Sequence, residues 1–244
     1  MLFSENFMAI AIILGDSHSA AFGNPETSNP HRVLNVGFSG TGVHHFMEVY
    51  HHLTPALPLR SCHHSGTPWS FHAGHTQTLT LQEADYLGFG FGEVDCRTAI
   101  HKQVEEHGRD YQEVIVSLVN DYMQIVKDLA GMVNAKPFFV GTIHQVRDLA
   151  VIHDHRDGAD HIEKMRMAGI RGNQQERGRY RNHFNQELQA RGLPYIDYGD
   201  FGNSDGVADP ALMGVDSIHL SHLLFPAQNA RMLEFLKTLV ESGY

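Results

Sequence analysis

The chain has 244 residues, of which 42% are hydrophobic and 19% charged, and its formal net charge is -10 at pH 7. This length and composition are typical of a globular protein with one substantial core, and they exclude a disordered or fibrous chain. The negative net charge argues against a nucleic-acid partner, because binding to phosphates needs a positively charged surface.

Export and membrane signals are weak in this sequence. The apolar run at residues 7–14 is too short to span a bilayer, and it lacks the basic segment and cleavage site of a signal peptide. The two cysteines, Cys62 and Cys96, form neither a disulfide framework nor a zinc-site spacing. We therefore predict a cytoplasmic protein without a membrane partner, and the sequence leaves the oligomeric state open.

Short apolar runs alternate with longer segments whose apolar residues recur at helical spacing. The strand-like runs lie at residues 8–14, 31–36, 84–91, 136–142 and 193–198, and the helical segments at 42–52, 111–133, 173–191 and 226–242. Continuous apolar strands separated by helices indicate a mostly parallel sheet covered on both faces.

Two polar segments, at residues 53–80 and 153–172, interrupt this alternation. Long loops at the rim of an α/β sheet are often lids or specificity elements, and plain surface insertions explain them equally well. No linker or repeat divides the chain, so we predict one domain over residues 1–244 with two loop insertions.

Nineteen histidines are an unusual number for this length. They are scattered, whereas a metal site needs three or four ligands that converge in space. We interpret them as surface and loop residues and predict neither a metal nor another cofactor. A metal-dependent hydrolase is the alternative that they would support.

The first strand-like run ends in Gly15-Asp16-Ser17. Ligands of parallel α/β proteins bind at the carboxyl ends of the strands, and backbone N–H groups at the start of a helix can bind an anion. Ser17 is therefore a candidate nucleophile, and the alternative is that a residue of this turn only caps a helix. The glycine-rich turn after the second run contains Gly40, whose N–H could join that of Ser17 in an oxyanion hole.

Asp216 and His219 precede the last helical segment and are three residues apart. At this spacing the carboxylate can orient the imidazole, which leaves the other ring nitrogen to act as a base. An isolated pair of this kind often arises by chance, so its weight comes from the other motifs.

Taken together, four short blocks in this order resemble those of the SGNH/GDSL hydrolase superfamily. They read Gly15-Asp16-Ser17-His18-Ser19, Gly37-Phe38-Ser39-Gly40, Gly92-Glu93-Val94-Asp95 and Asp216-Ser217-Ile218-His219. The resemblance implies a three-layer α/β/α fold with a flavodoxin-like, mostly parallel five-stranded sheet. It also implies Ser17 as nucleophile, His219 as general base and acid, Asp216 as orienting residue, and the amides of Ser17 and Gly40 as the oxyanion hole.

The third block departs from the family pattern, in which an asparagine donates to the oxyanion. Val94 stands at that position, and losing one such donor costs about 10²–10³-fold in rate. Arg97 or a histidine could supply the missing donor, Glu93 could be held protonated, or catalysis could be weak or absent. The alternative for Arg97 is an ion pair with Glu93 or Asp95 that only supports the loop. Asp16, Glu93, Asp95 and Arg97 are thus the candidate substrate-binding or oxyanion residues.

By this resemblance the chain is an ester hydrolase or acyltransferase that acts through an acyl-enzyme. The implied substrate is a small-molecule or carbohydrate ester, such as an O-acyl group on a sugar. The alternative is a catalytically silent protein that uses the same pocket to bind a ligand or glycan.

Overall fold

A computed structural model of the chain describes residues 8–16, 31–38, 41–60, 78–143, 169–198, 205–207, 209, 212 and 224–244. Its centre is a parallel sheet of five strands, β1 (Ile10–Gly15), β2 (Arg32–Gly37), β5 (Tyr86–Gly90), β6 (Lys136–Val140) and β7 (Tyr195–Ile196). Neighbouring strands are hydrogen-bonded in the order β2-β1-β5-β6-β7. Counted among themselves they have the flavodoxin-like order 2-1-3-4-5, which confirms the predicted fold class.

The five helices are α1 (Val43–Val49), α2 (Ile100–His107), α3 (Tyr111–Val133), α4 (Gln174–Gln189) and α5 (Phe225–Ser242). Four of them correspond to the predicted helical segments. Helix α3 has the predicted bounds because Asp110 caps its first turn, accepting from the Gln112 N–H at 2.7 Å, and Asn134 ends it in the left-handed conformation. In α4, Asn173 and Glu176 form a capping box.

Two cores lie on opposite faces of the sheet, because neighbouring residues of a strand point to opposite faces. Helices α1 to α4 cover one face and α5 covers the other. The sheet residues of the first core include Ile12, Leu14, Leu34, Leu87, Phe89 and Phe139, and those of the second include Ala11, Ile13, Val33, Tyr86, Phe138 and Val140. The result is the predicted arrangement of three layers.

A glycine in the middle of β5 lets the second core close. A methyl group at Gly88 would lie 2.5 Å from the Phe138 ring and 3.0 Å from Ile13. Phe138, which is fully buried, therefore packs directly over the backbone of the neighbouring strand.

The structure adds elements that the sequence pattern did not predict. Helix α2 was missed because only two of its eight residues, Ile100 and Val104, are aliphatic. Strands β3 (Pro58–Arg60) and β4 (Thr78–Thr80) pair antiparallel at the two ends of the first predicted insertion. Of the second predicted insertion, the described residues begin at Gly169. No helix in the described part of the chain is long and apolar enough to cross a bilayer.

Candidate active site

The strand order creates a crevice between β1 and β5. The chain leaves these strands toward opposite edges of the sheet, and ligands of such folds bind at this switch point, outside the carboxyl ends of the strands. Two hydrogen bonds tie the strand ends together there. The Asp16 N–H donates to the Gly90 carbonyl at 3.1 Å, and the Phe38 N–H donates to the Gly15 carbonyl at 2.8 Å. The ends of β1, β2 and β5 therefore meet at one place.

Four of the predicted site residues lie outside the described residues: Ser17, Gly40, Asp216 and His219. Their roles stay predictions. Asp16, which precedes Ser17, is described and buried, with 2% of its surface exposed.

The third block forms a helical segment at the end of β5 rather than a loop. Residues 93 and 94 are helical, a π-helical turn follows over Asp95–Ala99, and α2 continues from it. The Cys96 N–H donates to the Gly92 carbonyl at 2.9 Å, and the Ile100 N–H donates to the Asp95 carbonyl five residues back. Turns of this type are rare in proteins and are frequent at functional sites.

Glu93 and Arg97 form a buried ion pair within this segment. The Arg97 Nε lies 2.8 Å from Oε1 and 2.9 Å from Oε2 of Glu93, and the two side chains are 8% and 2% exposed. This geometry favours the supporting role for Arg97, because its charge is balanced by a carboxylate one helical turn away. Donation by Arg97 to an oxyanion or a substrate stays a prediction.

Val94, at the position of the family's asparagine, is 8% exposed. Its side chain carries no donor, and its carbonyl accepts from the Thr98 hydroxyl at 2.5 Å. Its side chain therefore offers no donor to an oxyanion.

Asp95 faces the start of α1 instead of pairing with Arg97. Its Oδ2 accepts from the Val43 N–H at 2.7 Å, and the backbone of His44 also hydrogen-bonds to the carboxylate. Burial raises the pKa of Asp95 from 3.8 to about 6, against the opposing effect of these N–H groups and of nearby His45. The structure thus shows Asp95 in contact with the start of α1, and its predicted role toward a substrate or an oxyanion stays a prediction.

Behind the crevice, Tyr122 of α3 contacts the residue that follows β5. The Phe91 N–H donates to the Tyr122 hydroxyl at 3.0 Å, and Tyr122 is fully buried. Burial raises the Tyr122 pKa well above its ordinary value, and the charges of Asp16 and Asp95 add to this effect. The apolar pattern of α3 predicts only a core position for this tyrosine, since the pattern does not reveal what its hydroxyl contacts.

Thr142, just beyond the end of β6, is held by hydrogen bonds to two residues of α4. Its N–H donates to the Asn185 Oδ1 at 2.8 Å, and its carbonyl accepts from the Asn185 amide at 3.1 Å and from the Arg181 Nε at 2.8 Å. Beyond the last bond between β6 and β7, the Asn185 side chain thus makes the hydrogen bonds with Thr142 that a neighbouring strand would otherwise make. Neither Arg181 nor Asn185 carried a sequence signal beyond its place in a helical segment.

The end of the second predicted insertion is attached to the π-helical turn. The Arg171 N–H donates to the Arg97 carbonyl at 2.9 Å, and the Arg171 guanidinium contacts Glu105 and Glu106 at 3.3 and 2.8 Å. This part of the insertion therefore packs beside the candidate site. Among the residues that the structure describes, no three histidine, cysteine or acidic side chains converge as metal ligands.

Comparison with known proteins gives matches in structure only. No protein-family model and no curated protein matches the sequence. The inhibitor-bound aryl esterase of M. smegmatis is 14% identical with a TM-score of 0.50, and the alignment covers 95% of this chain and 99% of that one.

Two further solved structures have TM-scores of 0.51. One, assigned as an acylhydrolase of Bacteroides fragilis, is 13% identical over 94% of this chain and 88% of that one. The other, assigned as a lipolytic protein of the G-D-S-L family from Desulfitobacterium hafniense, is 10% identical over 93% and 99%. At these identities the likeness establishes the fold, and this is the fold that the resemblance to the SGNH/GDSL superfamily implies.

Proposed function

We propose that this chain is a serine-dependent ester hydrolase or acyltransferase with Ser17 as its nucleophile. The observation that carries the proposal is the hydrogen bond from the Asp16 N–H to the Gly90 carbonyl at 3.1 Å. It holds the residue before Ser17 at the switch point of the sheet, where ligands of this fold bind. The fold itself is shared with esterases and lipolytic proteins.

In the proposed reaction, His219 takes the proton of the Ser17 hydroxyl as its oxygen attacks the ester carbonyl. Asp216 holds the imidazole in the required tautomer and stabilises its charged form. The N–H groups of Ser17 and Gly40 donate to the oxyanion of the tetrahedral intermediate. His219 then protonates the leaving alcohol, and water or a second alcohol attacks the acyl-enzyme to release the acyl group.

The substrate class that we propose is a small acyl ester, with O-acyl groups on carbohydrates as the natural substrates to test first. This choice rests on the resemblance of the four sequence blocks. Because Val94 replaces the usual third donor, we expect turnover about 10²–10³-fold slower than with a complete oxyanion hole.

Labelling and turnover test the proposal together. The wild-type protein should hydrolyse p-nitrophenyl acetate and gain the mass of one phosphonyl group from a fluorophosphonate, whose fluoride leaves as HF. Ser17→Ala should abolish both because it removes the attacking oxygen. Ser117→Ala is a matched control, since Ser117 is exposed on α3, and it should behave like the wild type. A wild-type protein that neither turns over the ester nor takes the label would overturn the proposed function.

A silent binding protein is the second candidate, and Val94 is the observation that favours it. Such a protein would bind an acetylated oligosaccharide equally well before and after Ser17→Ala. Calorimetry of both proteins, with chromatographic analysis for released acetate, separates the candidates. Binding without release of acetate by the wild type would support the silent protein.

A further inference from the structure

One arginine of α4, Arg181, lies at the carboxyl end of the sheet. Its Nε donates to the carbonyl of Thr142, just beyond β6, at 2.8 Å. The Thr142 hydroxyl in turn donates to the Phe91 carbonyl at 3.4 Å, just beyond β5. Thr142 thus links the Arg181 guanidinium to the end of β5, the strand that borders the crevice.

Only uncharged acceptors within the described part of the chain bind this guanidinium. Besides the bond to Thr142, its Nη1 donates to the Asn182 Oδ1 at 3.1 Å. Among the residues that the structure describes, no carboxylate forms an ion pair with Arg181. Four other arginines each have a carboxylate partner at 3.4 Å or less: Arg97, Arg171, Arg191 and Arg231.

The groups around Arg181 leave its charge without a counter-charge. Burial lowers its pKa, and Tyr195, Cys96 and Asp197 oppose this effect. Tyr195 and Cys96 are uncharged at neutral pH, because burial raises the pKa of Tyr195 to about 12 and that of Cys96 well above its ordinary value. Asp197 is acidic, but it pairs with Arg231 at 2.5 Å. Since an arginine keeps its proton in proteins, Arg181 stays positively charged.

A buried charge is costly unless it has a partner, and a partly exposed guanidinium at the edge where ligands bind can obtain one from a ligand. We propose that Arg181 is an anion-binding residue, which pairs with a carboxylate, phosphate or sulfate group of a ligand at the carboxyl end of β6. Arginine suits such groups because its fork of N–H donors matches two of their oxygens. The bonds to Thr142 and Asn182 fix the plane of the guanidinium and leave Nη2 to donate to the ligand.

The anion has two possible sources, a free ion or the charged group of a larger ligand such as an ester substrate. The second source deepens the proposed function by naming a substrate class, an ester that carries an anionic group, and it rests on that function. Anion binding by itself does not, because it needs no reaction at Ser17.

Calorimetric titration with inorganic phosphate and with succinate, at constant ionic strength, tests the anion site without catalysis. Arg181→Gln keeps a donor for the Thr142 carbonyl and loses the charge, so both anions should bind about 10- to 100-fold more weakly than to the wild type. Arg179→Gln is a matched control, because Arg179 is exposed on the same helix, 4.7 Å from the Tyr111 ring centroid. It should bind both anions like the wild type.

Kinetics distinguish the two sources of the anion. Mono-p-nitrophenyl succinate differs from p-nitrophenyl acetate by a carboxylate on its acyl group. For an anion carried by the substrate, Arg181→Gln should lower kcat/KM for the succinate ester about 10- to 100-fold and that for the acetate ester less than about threefold. Equal effects on both esters overturn the substrate class and leave a free ion as the ligand.

Nuclear magnetic resonance of the wild type gives a readout that does not depend on the folding of a variant. The Nε–H of Arg181 is held by Thr142, and its ¹⁵N signal should shift when phosphate is added. The corresponding signal of Arg179 should stay in place.

The outcomes separate the two proposals. A wild type that binds neither phosphate nor succinate, or an Arg181→Gln protein that binds them equally well, overturns the anion site. A wild type that binds them through Arg181 but shows neither turnover nor fluorophosphonate labelling overturns the proposed function and leaves the anion site standing.

Discussion

At the scale of single residues, the candidate site is unusual for the number of ionisable groups that it buries. Measured over the whole residue, Asp16, Glu93, Asp95 and Arg97 are each 6% exposed or less. Burying a charge is costly unless it is paired or hydrogen-bonded. Glu93 and Arg97 meet this requirement through each other, and Asp95 meets it through two backbone N–H groups.

The raised pKa of Asp95 predicts how the stability of the protein changes with pH. Its pKa is about 6 in the folded protein, against an ordinary value of 3.8. Between these two pH values the folded state therefore binds more protons than the unfolded state. The contribution of Asp95 to the free energy of unfolding is therefore greatest below about pH 4, and it falls as the pH rises through 6. Urea unfolding of the wild type and Asp95→Asn from pH 4 to 8 measures this effect.

The difference in unfolding free energy between the two proteins isolates Asp95 from the other titrating groups. We expect the wild type to lose stability relative to Asp95→Asn as the pH rises from 4 to 6, and the difference to level off above pH 7. A difference that does not change with pH would show that Asp95 keeps an ordinary pKa.

At the scale of elements, the segment between β5 and α2 combines a π-helical turn with a buried ion pair. Removing one partner of such a pair leaves a buried charge and costs about 3–5 kcal/mol, whereas replacing both is often nearly neutral. Arg97→Met and Glu93→Gln should therefore each lower the unfolding free energy strongly, and the double variant should recover most of the loss. Urea unfolding of all four proteins checks this prediction.

The same four proteins show whether Arg97 takes part in catalysis. We expect the double variant to keep kcat within about threefold of the wild type, because the buried ion pair favours a supporting role for Arg97. A double variant that is stable but about 10²-fold slower would instead show that one of the two side chains acts in catalysis, as a donor to the oxyanion would.

At the scale of the whole molecule, one sheet separates two cores and both cores share its strands. Ile12 and Leu14 point into one core, and Ala11 and Ile13 point into the other. Loss of either core would expose one face of every central strand, so the two faces should unfold together. Such joint unfolding is what the prediction of a single domain over residues 1–244 requires.

Two spectroscopic probes test the single domain. Far-UV circular dichroism follows the helices and the sheet, and fluorescence follows Trp69, the one tryptophan of the chain, which belongs to the first predicted insertion and lies outside the described residues. We expect the two urea transitions to coincide, as a single cooperative unit requires. A separate, earlier fluorescence transition would show that the insertion unfolds independently.

The amino-acid sequence by itself determined the elements whose apolar residues follow the regular spacing of a strand or a helix. The five central strands and helices α1, α3, α4 and α5 were predictable because their apolar pattern is encoded within each segment, and α3 and α4 also have local caps. Helix α2 has too few apolar residues for this signal. The rule that ligands of parallel α/β proteins bind at the carboxyl ends of the strands also predicts the edge of the sheet at which the candidate site lies. This location stays a prediction, because Ser17, Asp216 and His219 lie outside the described residues.

Only the tertiary structure decided how the charged residues of the third block are used. Glu93, Asp95 and Arg97 are two residues apart in sequence, yet the helical turn pairs the first with the last and directs Asp95 toward Val43. The contacts of Tyr122 with Phe91 and of Asp95 with Val43 span 31 and 52 positions. Local patterns cannot specify such contacts, because they arise only when the packed strands bring distant segments together.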